Sequence, residues 1–108
     1  MGFSGSILRP HMISRKLFEF MTLKLLSERS YSAAELQARF KSLSIRIPLG
    51  SIYPLLSRLR KRSFIIGGTE ESETGGNLRT HSLTGEGMSY YKSLKREWDG
   101  LNRMIASL

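Results

Sequence analysis

The sequence predicts a mainly α fold of the α+β kind: three short helices, a two-stranded hairpin and a long terminal helix. Three observations carry this reading. Apolar residues recur at three- and four-residue spacing as far as Leu59. The pattern then changes to short strand-like runs between residues 64 and 83. Beyond them an apolar seam steps by three and four residues to the C-terminus.

The first helix is expected over residues 14–28, where Leu17, Phe20, Met21 and Leu25 form one apolar stripe. The second opens at Ser32 and runs out near Leu43. Its start, Ser32-Ala33-Ala34-Glu35, is a capping box in which serine and glutamate satisfy each other's end of the first turn. Residues 45–48 connect, because Pro48 biases Ile47 away from helical geometry. Gly50-Ser51 begins the third helix, with Pro54 expected in its first turn, where a missing amide donor costs least. Ile52, Leu55, Leu56 and Leu59 supply its buried face, and Arg58, Arg60, Lys61 and Arg62 fill its last turns, where they favour the helix C-terminus. Residues 64–66 and 78–83 read as two strands joined by the acidic, glycine-containing stretch 67–77, a loose hairpin tip. Thr84 is an N-cap for the final helix.

Size and composition bound the function. A chain of 108 residues with 40% hydrophobic residues holds one modest core. Residues 13–84 form one unit, residues 85–108 the terminal helix, and residues 1–12 read as a cloning remnant ahead of a start at Met12. No apolar run approaches the ~20 residues that span a bilayer, and no secretory segment is visible, so a cytoplasmic protein with no membrane partner is expected. The absence of cysteine excludes disulfides, thiolate zinc sites and cysteine nucleophiles. Catalysis would require a nucleophile with its base, a paired carboxylate or a metal cluster. Glu70, Glu71 and Glu73 lie in a hairpin where nothing orients them, and His81 has no second ligand nearby in sequence. No enzyme, metal or cofactor is expected.

The charge is uneven. Residues 13–62 hold eleven Lys/Arg against Glu19, Glu28 and Glu35, a net +8, whereas residues 63–108 hold five cations and six anions. Such asymmetry suits a face that meets a polyanion. Three helices followed at once by a hairpin is the winged helix-turn-helix order, in which the third helix is narrow enough to lie in a DNA major groove. The expected partner is double-stranded DNA. Its candidate contacts are Arg46 before the third helix, Ser51 and Tyr53 in its first turns, Arg58 and Lys61 near its end, and Arg79 in the hairpin. For Tyr53 the alternative is a half-buried core position; for Arg58 and Lys61 it is solvated charge at a helix end.

These residues carry a resemblance. The block Gly50-Ser51-Ile52-Tyr53-Pro54-Leu55-Leu56-Ser57-Arg58-Leu59 resembles the recognition-helix signature of PadR-like transcriptional regulators. Phe64-Ile65 stands at the place of that family's leucine-isoleucine, Leu83-Thr84-X-X-Gly87 matches its wing-closing motif, and Glu97-Trp98 resembles its final-helix tryptophan. The wing differs, since Gly76-Asn77-Leu78 and Thr80-His81 leave Arg79 as its one cation. The resemblance implies a repressor, and some family members release DNA when a small aromatic or drug-like molecule binds at the dimer interface.

The final helix fits that implication. Tyr91, Leu94, Trp98, Leu101, Ile105 and Leu108 form a heptad-like seam extending back to Met88. The helix should reach ~30 Å, too long for so small a domain to cover alone. A homodimer is therefore expected, joined through Leu17 and this seam. Met88, Tyr91 and Trp98 are the candidate contacts for an aromatic effector; the alternative is that Trp98 packs the interface. The rival function is a winged helix used for protein–protein contact without specific DNA binding.

Overall fold

The computed structural model describes residues 14–71 and 77–108. The segment 1–12 and the wing-tip pair Gly75-Gly76 lie outside the described residues. The order is α1 (Arg15–Leu26), β1 (Tyr31–Ser32), α2 (Ala33–Ser42), α3 (Leu49–Lys61), β2 (Ile65–Glu71), β3 (Asn77–Leu83) and α4 (Gly85–Ala106). This is the winged-helix arrangement, with one strand more than the sequence reading supplies. The two residues of β1 pair antiparallel with β3, Tyr31 opposite His81 and Ser32 opposite Thr80, giving a three-stranded sheet ordered β1-β3-β2.

Helix starts follow their caps. Ser14 Oγ accepts from the Leu17 amide, and Thr84 Oγ1 accepts from the Gly87 amide. The box at Ser32 is complete: Ser32 Oγ accepts from the Glu35 amide at 3.1 Å, and Glu35 Oε1 accepts from the Ser32 amide at 2.8 Å. Helix ends are less conventional. Ser44 and Ser63 both take φ of 63° just beyond α2 and α3. The Ile45 amide reaches back to the Phe40 carbonyl at 2.9 Å, and the Phe64 amide to the Leu59 carbonyl at 3.0 Å. These are left-handed closures normally built on glycine, each holding a serine at a cost of about 1 kcal/mol.

Three sequence expectations shift. The third helix starts at Leu49, because the Pro48 carbonyl already accepts the first helical bonds from Ser51 and Ile52. Pro54 therefore lies in the second turn, where it denies the Gly50 carbonyl its helical donor. On α1, the expected stripe of Leu17, Phe20 and Met21 is only half-buried, and Thr22, Leu23 and Leu26 enter the core instead. The hairpin is longer than the expected 64–66 and 78–83: Gly67 to Glu71 continue β2, in register with residues 77–81 of β3.

The core gathers Leu23, Leu26, Leu36, Phe40, Ile52, Leu55, Leu56, Leu59, Ile65 and Leu94, each at most 4% exposed. Beneath it lies a polar clamp. Glu19, almost buried, accepts from Arg62 Nη1 at 2.9 Å and from the Tyr90 hydroxyl at 3.1 Å. The Arg62 guanidinium also covers the rings of Phe64 and Tyr90, which stack 4.4 Å apart. Arg62 thus ties α1 to α3 and α4 rather than favouring its own helix end.

Candidate nucleic-acid interface

Helix α3 buries Ile52, Leu55, Leu56 and Leu59 against the core, which turns Gly50, Tyr53, Pro54 and Lys61 outward. Tyr53 is 58% exposed, so its hydroxyl belongs to the surface and not to the core. At about 100° per residue, Tyr53 and Ser51 stand on opposite flanks of the helix. Ser51 and Arg58, both half-buried, share one flank, while Tyr53 and Arg60 share the flank that faces the sheet. Lys61 points straight out. Arg46 is exposed in the connector ahead of α3, which Gln37 anchors by donating from Nε2 to the Ile47 carbonyl at 3.1 Å. The structure therefore divides the sequence-predicted residues between two sides of one helix.

On the sheet side a cavity of about 390 Å³ opens between α3, β3 and the start of α2, lined by Ser32, Ala33, Ala34, Tyr53, Leu56, Arg60, Arg79 and His81. Arg79 is exposed, and its guanidinium lies along Gly67, where an added Cβ would meet Arg79 Nε at 3.3 Å. Arg60 departs from the expected interaction with its helix terminus and turns into this cavity. Its Nη2 lies 3.4 Å from His81 Nδ1, and its Nε is buried without a partner among the described residues. His81 is itself buried, and sequence reading treats it only as an isolated strand histidine. The missed signal was the alternation that puts Arg79 and His81 on the same strand face.

Burial first, then the Arg60 and Arg79 guanidiniums, hold the His81 imidazole below its ordinary pKa range. A guanidinium can only donate, so the contact with Arg60 requires a neutral imidazole whose Nδ1 accepts. The unfolded chain takes up this proton first as the pH drops. Folding stability should therefore decrease as pH falls below about 6.5, and level off once the folded protein is protonated too. Urea denaturation of wild type and His81→Gln across pH 5–8 checks this, with the histidine-dependent slope absent from the variant.

The other candidate residues gather around α4. Tyr91 is 7% exposed and Leu94 only 1%, so both are core residues of their own chain, and their spacing alone does not place them against a partner. Phe20 stacks on Tyr91 and on Trp98, with ring centroids 5.8 and 5.9 Å apart. Beyond Trp98 the helix leaves its domain: Leu101, Met104, Ile105 and Leu108 are exposed, and Met104 extends the apolar set read from the sequence. Leu17, Phe20, Met21, Leu25, Tyr91 and Trp98 contribute to an open apolar cavity of about 360 Å³. Met88 packs against the core elsewhere and does not line it.

Comparison with known proteins decides what this arrangement is. Residues 22–93 match the family profile described as the transcriptional regulator PadR-like family. The chain belongs to the PadR-like family of transcriptional regulators. It is a DNA-binding transcriptional regulator with a winged helix. No curated protein matches it by sequence. A PadR-like transcription factor from Bacteroides fragilis is similar at 26% identity and a TM-score of 0.77, over 86% of this chain and 90% of that one. A Streptococcus transcriptional regulator is similar at 25% identity and a TM-score of 0.80, over 86% and 92%. A transcriptional regulator from Clostridium thermocellum is similar at 25% identity and a TM-score of 0.72, over 87% and 94%. Among the described residues no helix is long and apolar enough to cross a membrane.

Proposed function

We propose that this PadR-like regulator is a cytoplasmic homodimer that binds an inverted-repeat operator and represses transcription by occupying it. The observation that carries the dimer is the distal end of α4, where Leu101, Met104, Ile105 and Leu108 expose a continuous apolar strip. Soluble chains seldom leave such a strip uncovered, and a symmetric pair of helices covers both copies at once. Leu17, Phe20, Met21 and Trp98, half-buried beside it, extend the same surface.

Two recognition helices related by a two-fold axis read the same sequence in opposite directions. Arg46, Ser51, Tyr53, Arg58, Lys61 and Arg79 contact the duplex, the cations at phosphates and the outward face of α3 at base edges. The apolar cavity bounded by Phe20, Tyr91 and Trp98 takes a small aromatic effector, stacked on the tryptophan and enclosed by the partner chain. The protein works by binding rather than by catalysis.

Selection of bound duplexes from a random pool tests this reading. The enriched sequences should form an inverted repeat, with half-sites about 10–10.5 base pairs apart centre to centre or a multiple of that. Enrichment of a single asymmetric site would overturn the dimeric mode. No enrichment at all would leave the winged helix as a protein-contact module.

A further inference from the structure

We propose that Arg60, Arg79 and His81 form a phosphodiester-binding site, between the recognition helix and the sheet, which grips one backbone phosphate of the bound duplex. The proposal rests on the DNA-binding reading above and assigns to Arg60 and His81 a positioning role that sequence reasoning gave to neither.

The cavity brings two guanidiniums and an imidazole together, and no carboxylate among the described residues lines it. The two guanidiniums repel each other, and no described group offsets their charge, which points to an anion as the missing member. Arg60 is under-used as it stands. Of its five donors, one makes a long 3.4 Å contact with His81 and the buried Nε has no described partner. Glu35, in the first turn of α2, is engaged by the Ser32 amide and lies 3.7 Å from Arg29, which in turn covers the Tyr31 ring beside His81. Among the described residues, the other groups facing His81 are neutral or cationic: Tyr31 on β1, Gly67 on β2, Tyr53 and Arg60 on α3, and Arg79 on β3. The first turn of α2, at Ala33 and Ala34, closes the cavity with the positive end of a ten-residue helix.

The position selects the source of the anion. A helix seated in a major groove is flanked by the two sugar-phosphate strands, and the furrow between α3 and the wing is where one of them must pass. The cavity opens into that furrow beside the exposed Tyr53 and Arg79. A phosphate entering it would favour protonation of His81. Protonation at Nδ1 breaks the contact with Arg60 and turns both side chains toward the anion.

Three readouts on the full-length protein test the site. Arg60→Gln should weaken duplex binding about tenfold, the size of one charge-assisted hydrogen bond, and reduce the slope of log affinity against log salt by about one. The same variant should unfold at an equal or higher temperature than wild type, because it relieves repulsion; a lower Tm with unchanged binding would assign Arg60 to the fold alone and overturn the site. Neutral methylphosphonates placed singly along the duplex should identify one position whose roughly tenfold penalty in wild type disappears in Arg60→Gln. The His81 Cε1–H resonance, titrated with and without duplex, should show its pKa raised in the complex, so that affinity rises as the pH falls toward the free-protein value. Wild-type binding with no coupled methylphosphonate position refutes the site while leaving the DNA-binding reading intact; failure of wild type to bind duplex refutes that reading first. If inorganic phosphate moves the His81 resonance while no backbone position couples to Arg60, the cavity serves a free anion and the phosphodiester assignment falls.

Discussion

Gly87→Ala is expected to destabilise the protein by about 3 kcal/mol, the upper range for overpacking a closed site. The glycine sits where the first turn of α4 presses on the Phe64 main chain, in the connection between α3 and β2. A Cβ there would collide with the Phe64 carbonyl oxygen, and would lie 2.9 Å from the carbonyl carbon and 3.0 Å from Leu83 Cδ2. Main chain cannot step aside as a side-chain tip can. The Phe64 carbonyl accepts from the Thr84 amide at 3.1 Å, and Thr84 Oγ1 donates to the Ser63 carbonyl at 2.6 Å. Moving α4 away would also part the Phe64–Tyr90 stack and pull Tyr90 from Glu19. Gly85→Ala is the control, because a Cβ at Gly85 meets nothing within 4 Å. Urea denaturation should separate the two variants clearly, and equal stabilities would refute the close approach as the reason for the glycine.

Leu101→Glu is expected to convert the proposed dimer to a folded monomer and to reduce operator affinity by on the order of a hundredfold. Leu101 is 44% exposed in the single chain, so the substitution leaves the core of each protomer alone. In a paired helix it places a carboxylate in a desolvated apolar seam. The monomer retains its recognition helix and loses the gain from engaging two half-sites together. Sedimentation and footprinting of the same preparation check both halves. A variant that remains dimeric and protects the same bases would remove α4 as the interface.

Much of the fold is legible in local chemistry. The box at Ser32 and Glu35, the cap at Thr84 and the buried series Ile52, Leu55, Leu56 and Leu59 each act within one or two turns of helix. The features that escape are of two kinds. Some break the usual rule locally: Ser44 and Ser63 hold left-handed closures that glycine would announce, and Pro48 caps α3 without a side-chain acceptor. Others depend on distant partners. β1 is two residues long and exists only because β3 pairs with it, some fifty residues later. The destinations of Arg60 and Arg62 are set by His81 and Glu19, so four adjacent cations read as one helix-end cluster until the chain is folded. The heptad spacing through Tyr91 and Leu94 is ambiguous for a related reason. The same periodicity serves a helix packed on α1 and one packed on a second chain, and burial alone separates Leu94 from Leu101.

The dimeric operator-binding account turns on contact between the basic half of the chain and duplex phosphates. The measurement that tests it most directly is the affinity of the wild-type protein for its selected duplex, and for a scrambled one, as salt is raised from about 50 to about 200 mM. The account predicts a linear fall in log affinity against log salt on both duplexes, steep enough to indicate several phosphate contacts, with the selected duplex bound more tightly throughout. Affinity that does not change with salt, or that is equal for the two sequences, would contradict it.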